Sequence, residues 1–162
     1  MGTLSLAKSN ATNLQGIEEV KIKRKGSVVW QGGIKDGKGE ISTESGALAS
    51  YPYGFASRFE GQKGSNPEEL IGAAHSACFT MALSLILGEA GFTAEKMETS
   101  AVVTLEQVEN GYAITAIHLA LTAKIPGATK EDLDELAAKA KVGCPVSKVL
   151  DTEITLDVTL ED

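Results

Sequence analysis

Two cysteines carry the reactive potential of this chain. Cys78 lies inside "GAAHSACFTMALSLILGEAGF", in a stretch with no acidic or basic side chain other than His75 between Leu70 and Gly88. Cys144 lies in "VGCPVSKVL", directly before Pro145. The thiolate rather than the thiol is the nucleophile, so the question is which sulfur its surroundings can hold as the anion. On a helix, His75 stands three positions before Cys78 and shares its face. Pro145 suits the first position of a short helix, which puts Cys144 at the N-cap, where free N–H groups and the helix dipole favour a thiolate. A sulfur held that way also leaves readily in thiol–disulfide exchange. Each residue has a plain structural alternative. Free cysteine is among the most buried residue types, capping is itself a structural job, and a histidine in an apolar helix is commonly a hydrogen-bonded core residue rather than a general base.

A permanent charge adds a third clue. Only two arginines, Arg24 and Arg58, occur among the 15 lysines and arginines. Arg58 sits in "YGFASRFEG" between Phe55 and Phe59, an apolar setting that calls for a carboxylate such as Glu68 or Glu60. A guanidinium fork grips a carboxylate bidentately, and near a thiol it favours the thiolate. The competing assignment is an arginine on the exposed face of a strand. A metal site built from Cys78, Cys144, His75 and His118 lacks any Cys-x-x-Cys or His-x-x-x-His spacing and would need three separate elements to converge. No phosphate-binding glycine loop, Gly-x-Ser-x-Gly elbow or dinucleotide fingerprint occurs.

These residues need elements to hold them. Asn66 is a good N-cap, Pro67 suits the first helical position, and Glu68 and Glu69 fall in the first turn. With Gly88 and Gly91 as stops, the spacing predicts a helix of about twenty residues. It is apolar nearly all round, which calls for burial on most sides. Its flanks are acidic rather than basic and its first half is small (Gly72, Ala73, Ala74, Ser76, Ala77), so a buried helix is expected in place of a membrane span. A second copy of the chain is expected against the small-residue face. Before the helix, "VVWQGGIKDGKGEISTES" holds two strands around a glycine-rich turn, and "YGFASRFEG" reads as a third. After it, a hairpin turns at Asn110-Gly111. Its second arm puts Ile117, Leu119, Leu121, Ala123 and Ile125 on one face and His118 on the other. Thr129 and Asp132 form a capping box for a further helix ending with Gly143 at the C′ position. The final strand, Thr152 to Leu160, alternates Ile154, Leu156, Val158 and Leu160 with polar residues. The class is α+β: one domain over 19–162, after an N-terminal extension over 1–18.

Composition narrows the partners. The net charge of −7 and pI near 4.9 argue against a nucleic-acid partner. The basic run "KIKRK", Lys21 to Lys25, is expected on a solvated strand face. No charged-then-apolar secretory pattern opens the chain, and two cysteines are too few for a disulfide scaffold, so a reducing, cytoplasmic setting is expected.

The segments "STESG", "PYGFASRFEG", "GSNPEELIGAAHSACF", "MALSLILGEAGFT" and "GCPVSKVL" together resemble the OsmC/Ohr hydroperoxide-reductase family, from Ser27 to the last strand. The placement of the arginine in "RFEG" is that of the OsmC branch. The resemblance implies an OsmC-like fold, with antiparallel sheets around long buried central helices and two such chains forming an intertwined homodimer with both sites at the interface. It implies a thiol peroxidase of the oxidative and osmotic stress response, acting on organic hydroperoxides. Cys78 matches the family's peroxide-reacting cysteine and Cys144 its second cysteine, with Arg58 and Glu68 set beside the thiol. The implied cycle runs through a Cys78 sulfenic acid and a Cys78–Cys144 disulfide. An external dithiol, a lipoyl group in the family, resets it without metal or bound cofactor. Arg58, Phe55, Phe79 and Met81, with Leu83, are expected to line the substrate. His75 takes no role from the resemblance. A dimer that carries an apolar ligand beside inert cysteines is the competing reading, and Cys78→Ser separates the two.

Overall fold

The long apolar stretch folds as one helix, α2 (Pro67–Glu89), of 23 residues. Asn66 caps it by accepting a hydrogen bond from the Glu69 N–H at 2.8 Å. Gly91 ends it in the left-handed region at φ +85°, with the Phe92 N–H returning to the Leu87 carbonyl and the Gly91 N–H to Gly88. The computed structural model describes residues 21–162, so the expected extension over 1–18 lies outside the described residues.

Burial on α2 follows one stripe: Gly72, His75, Phe79, Leu83 and Leu87. Steps of three and four residues keep these on a single face. The helix is long and apolar enough to cross a membrane, but this stripe is a core face. Its opposite side, with Met81 and Leu85 well exposed, has no cover among the described residues. The expected burial on most sides is therefore met on one side only.

The stripe packs on a sheet of β4 (Lys96–Val108), β5 (Gly111–Lys124) and β6 (Glu153–Glu161). β4 and β5 form the hairpin expected at Asn110-Gly111, with Gly111 at φ +126°. Ile117, Leu119, Leu121, Ala123 and Ile125 are all buried. β6 alternates as its sequence predicts, but it lies parallel to β5, so the sheet is mixed where antiparallel sheets were expected. The cause is the connection: α3 (Lys130–Gly143) and α4 (Pro145–Val149) carry the chain back across the sheet, the kind of crossover that parallel pairing requires.

The core joins Phe79, Leu83 and Leu87 of α2 to Leu119 and Leu121 of β5 and Leu133, Leu136, Ala137 and Ala140 of α3. Gly72 sets how closely α2 approaches β4. A Cβ there would stand 3.0 Å from the Ala101 carbonyl oxygen, a backbone atom of a paired strand. Gly72→Val should therefore cost about 1–3 kcal/mol by overpacking. Urea unfolding measures this, and an unchanged midpoint would mean that β4 yields without cost.

Two local corrections concern chain direction near the site. The capping box at Thr129 and Asp132 starts α3 as expected. Gly143, however, is the last helical residue rather than the C′ glycine. The helix stops because Pro145 excludes the α conformation from the residue before it, and Cys144 turns out at φ −60°, ψ 122°. Likewise "YGFASRFEG" is not a third strand throughout. β1 (Gly26–Gln31), β2 (Lys38–Thr43) and β3 (Tyr51–Tyr53) form a separate antiparallel sheet, and the chain then coils into a short helix, α1 (Phe55–Phe59). The Ser57 hydroxyl accepts from the Gly54 N–H at 3.0 Å and donates to the Ser65 carbonyl at 2.8 Å, which closes that turn against the start of α2. "KIKRK" is exposed but precedes β1 rather than lying in a strand.

Candidate active site

α4 packs against α2 and brings the two cysteines together. Cys144 is fully buried, Cys78 is half-buried, and their Sγ atoms lie 2.9 Å apart and unbonded. A disulfide of about 2.05 Å needs only a small further approach. Either sulfur can carry the proton across this contact, and the surroundings decide which does. Burial pushes the Cys78 thiol above its ordinary value, and the hydrogen bond with Cys144 adds to that. Burial also acts to raise Cys144. It is outweighed by the hydrogen bond with Cys78, by the N–H and hydroxyl of Ser147 and by the Val146 N–H, so Cys144 falls below the ordinary thiol range. No thiol hydrogen bond closes the α4 cap itself; these donors face the sulfur as a group. Within one chain these surroundings favour the thiolate at Cys144 over that at Cys78.

His75 stands behind the pair. It is fully buried, burial lowers its pKa, and its Nε2 lies 2.8 Å from the Ser147 Oγ. The hydrogen-bonded core position is the one realised. Ser147 itself drew no attention as a site residue in the sequence. The available signal was its spacing, three residues after Cys144 as His75 is three before Cys78.

The charged pair forms at the other end of α2. The Arg58 Nη2 lies 2.7 Å from the Glu68 Oε1, and its Nε lies 3.2 and 3.3 Å from the two carboxylate oxygens. Glu68, not Glu60, is the partner. Its side chain is nearly buried (12% exposed) while that of Arg58 is 32% exposed. The guanidinium lies 5.2 Å from the Phe59 ring centroid, and Phe59 packs on Phe55 at 4.9 Å and on Tyr112 at 5.4 Å. Glu68 precedes Cys78 by ten residues on a continuous helix, a separation of about 15 Å. Arg58 therefore does not reach the sulfur of its own chain.

The expected apolar wall is also divided. Phe79 and Leu83 are fully buried in the core and show no open surface. Met81 faces the opposite way, onto an open groove with Ala73, Ala77, Thr80 and Met97. An apolar recess of about 370 Å³ opens near the Arg58–Glu68 end, lined by Val28, Ile41, Tyr53, Pro67, Leu70 and Ile71. His118 lies on the outer face of the second sheet, 2.8 Å from the Thr155 hydroxyl and 3.4 Å from the Asp157 carboxylate. Among the described residues, no group of three His, Cys, Asp or Glu is placed to hold a metal ion.

Known proteins share this arrangement of chain. The model of the OsmC-like protein family matches residues 60–159. Peroxiredoxin OsmC of Escherichia coli K12 is 58% identical over 140 residues, covering 86% of this chain and 98% of that protein. Organic hydroperoxide resistance protein OhrA of Bacillus subtilis is 35% identical over 101 residues, covering 62% and 68%. The crystal structure of the organic hydroperoxide resistance protein OhrB of Bacillus subtilis superposes with a TM-score of 0.61 at 27% identity, over 85% of this chain and 98% of that one.

Proposed function

The chain belongs to the OsmC family, and on that premise we propose that it is a cysteine-based peroxidase that reduces organic hydroperoxides to alcohols in the response to oxidative stress. The 2.9 Å approach of Cys78 to Cys144 is the observation that carries this reading. The Cys78 thiolate attacks a peroxide oxygen and the O–O bond breaks. The alkoxide leaves, takes a proton to become the alcohol, and Cys78 is left as the sulfenic acid. The Cys144 thiolate attacks that sulfur. The S–S bond forms, the S–O bond breaks, and the departing hydroxide is protonated to water. An external dithiol of the lipoyl type returns both thiols. Because Cys144 is buried, the half-buried Cys78 is the sulfur that a reductant reaches, and Cys144 leaves.

Arg58 and Glu68 enter through a second copy of the chain. The open apolar side of α2 is a dimer surface, and a partner packed there brings its own Arg58–Glu68 pair to this Cys78. The cation then stabilises the thiolate that burial alone opposes. The recess near Arg58 offers an apolar seat for the organic part of the substrate and selects against hydrogen peroxide.

Intact mass tests the cycle. The reduced protein, given one equivalent of cumene hydroperoxide, should lose two thiols and about two mass units, and a dithiol should reverse the change. An unchanged mass with both thiols free would sink the peroxidase and favour a dimer carrying an apolar ligand.

A further inference from the structure

Behind the two sulfurs runs a line of polar contacts that peroxide attack at Cys78 does not use. His75 and Cys78 stand three apart on α2, and Cys144 and Ser147 stand three apart on the α4 side. The packing of α4 on α2 brings these two pairs together. The His75 Nε2 meets the Ser147 Oγ at 2.8 Å, Ser147 stands one helical turn beyond Cys144, where its hydroxyl helps to lower the Cys144 thiol, and Cys144 meets Cys78 at 2.9 Å. The other ring nitrogen, Nδ1, is buried with no hydrogen-bond partner among the described residues.

That orphaned nitrogen fixes the direction of the line. A buried N–H without an acceptor is rarer than a buried acceptor without a donor, so the proton of a neutral ring sits on Nε2. Burial favours the neutral ring. Nε2–H then donates to the Ser147 oxygen, which leaves the single hydroxyl proton of Ser147 free to point at sulfur. Resting on the thiol-cycle reading above, we propose that His75 and Ser147 are positioning residues for Cys144: they aim a hydroxyl at its sulfur. The hydroxyl stabilises that sulfur as the attacking thiolate in disulfide formation and as the leaving thiolate on reduction. No proton needs to travel along the line. Its work is done by donors already oriented before charge develops on the sulfur.

The test reads how Cys78 sulfenic acid partitions. The full chain is oxidised with one equivalent of cumene hydroperoxide in the presence of dimedone, which traps sulfenic acid, and the disulfide-to-adduct ratio is measured by mass spectrometry. His75→Leu and Ser147→Ala should each lower that ratio about tenfold, the worth of a hydrogen bond to a charged group. His75→Gln and Ser147→Thr, which keep a donor at each position, should restore most of it. A merely structural role would lower the melting temperature of the variants without moving the ratio in this pattern. Equal ratios in the wild type, His75→Leu and Ser147→Ala overturn the proposal, as does a His75→Gln variant no better than His75→Leu. If the wild type itself forms neither disulfide nor adduct, the thiol cycle fails and the proposal falls with it. If the wild type forms disulfide and all variants match it, only the positioning role is lost.

Discussion

Cys78→Ser should abolish hydroperoxide turnover, leaving only the background reaction. Cys144→Ser should consume one equivalent of hydroperoxide and then stop. The two outcomes differ because the proposed cycle gives the sulfurs different work. A serine hydroxyl at 78 keeps the size of the side chain but is not an anion near neutral pH, so the first bond to peroxide oxygen is never made. With serine at 144 the first bond is still made, and Cys78 reaches the sulfenic acid. The hydroxyl that replaces the Cys144 sulfur, which stands 2.9 Å from Cys78 in the wild type, cannot close a disulfide, so the chain stops at the sulfenic acid. Peroxide consumption per protein chain, followed to completion with dithiol present, separates the cases: none, one or many equivalents. Normal turnover by Cys144→Ser would remove its role in resolution. Normal turnover by Cys78→Ser would remove the peroxidase assignment from this site.

How far this site could be read from the chain alone depended on whether its determinants were local. The helix around Cys78 announces itself through Asn66, Pro67 and the paired glutamates, and the structure starts it at Pro67. The hairpin at Asn110-Gly111 and the alternation of β6 are equally local, because turn chemistry and a period of two need only adjacent residues. The failures were tertiary or depended on a single hydroxyl. "FASRF" alternates well enough to pass for a strand, but the Ser57 hydroxyl closes it into a turn of helix. Gly143 looked like a stop, while the actual stop is the steric demand of Pro145 on Cys144. Nothing in the sequence says which side of an all-apolar helix faces its own sheet, so Phe79 and Met81 were expected on one wall and stand on opposite sides. The Ser147–His75 contact joins residues 72 positions apart, and no pattern short of the fold could have paired them.

Arg58→Met should lower kcat/KM for an organic hydroperoxide by about a hundredfold, the scale of losing one preorganised charged donor. It should also move the pH profile of peroxide attack upward. Burial already holds the Cys78 thiol above its ordinary value, so removing the cation proposed to oppose burial raises the pH at which the thiolate forms. At a fixed pH the thiolate fraction, and with it the rate, is then lower and recovers as the pH rises. Geometry makes a sharper demand. Arg58 is tied to Glu68, about 15 Å along α2 from Cys78 of its own chain, so the proposed role has the charge act on the Cys78 of a second subunit. Mixed dimers test that directly. In a dimer of one Cys78→Ser subunit and one Arg58→Met subunit, both parent homodimers are impaired. Action across the interface leaves one site with both wild-type residues, Cys78 from the second subunit and Arg58 from the first. Such a heterodimer should regain about half of the wild-type rate, the share of one site in two. If each arginine served its own subunit, one site would lack the thiol and the other the cation, and no activity would return. A heterodimer as weak as Arg58→Met itself would therefore place the arginine within its own chain and require α1 to move toward Cys78.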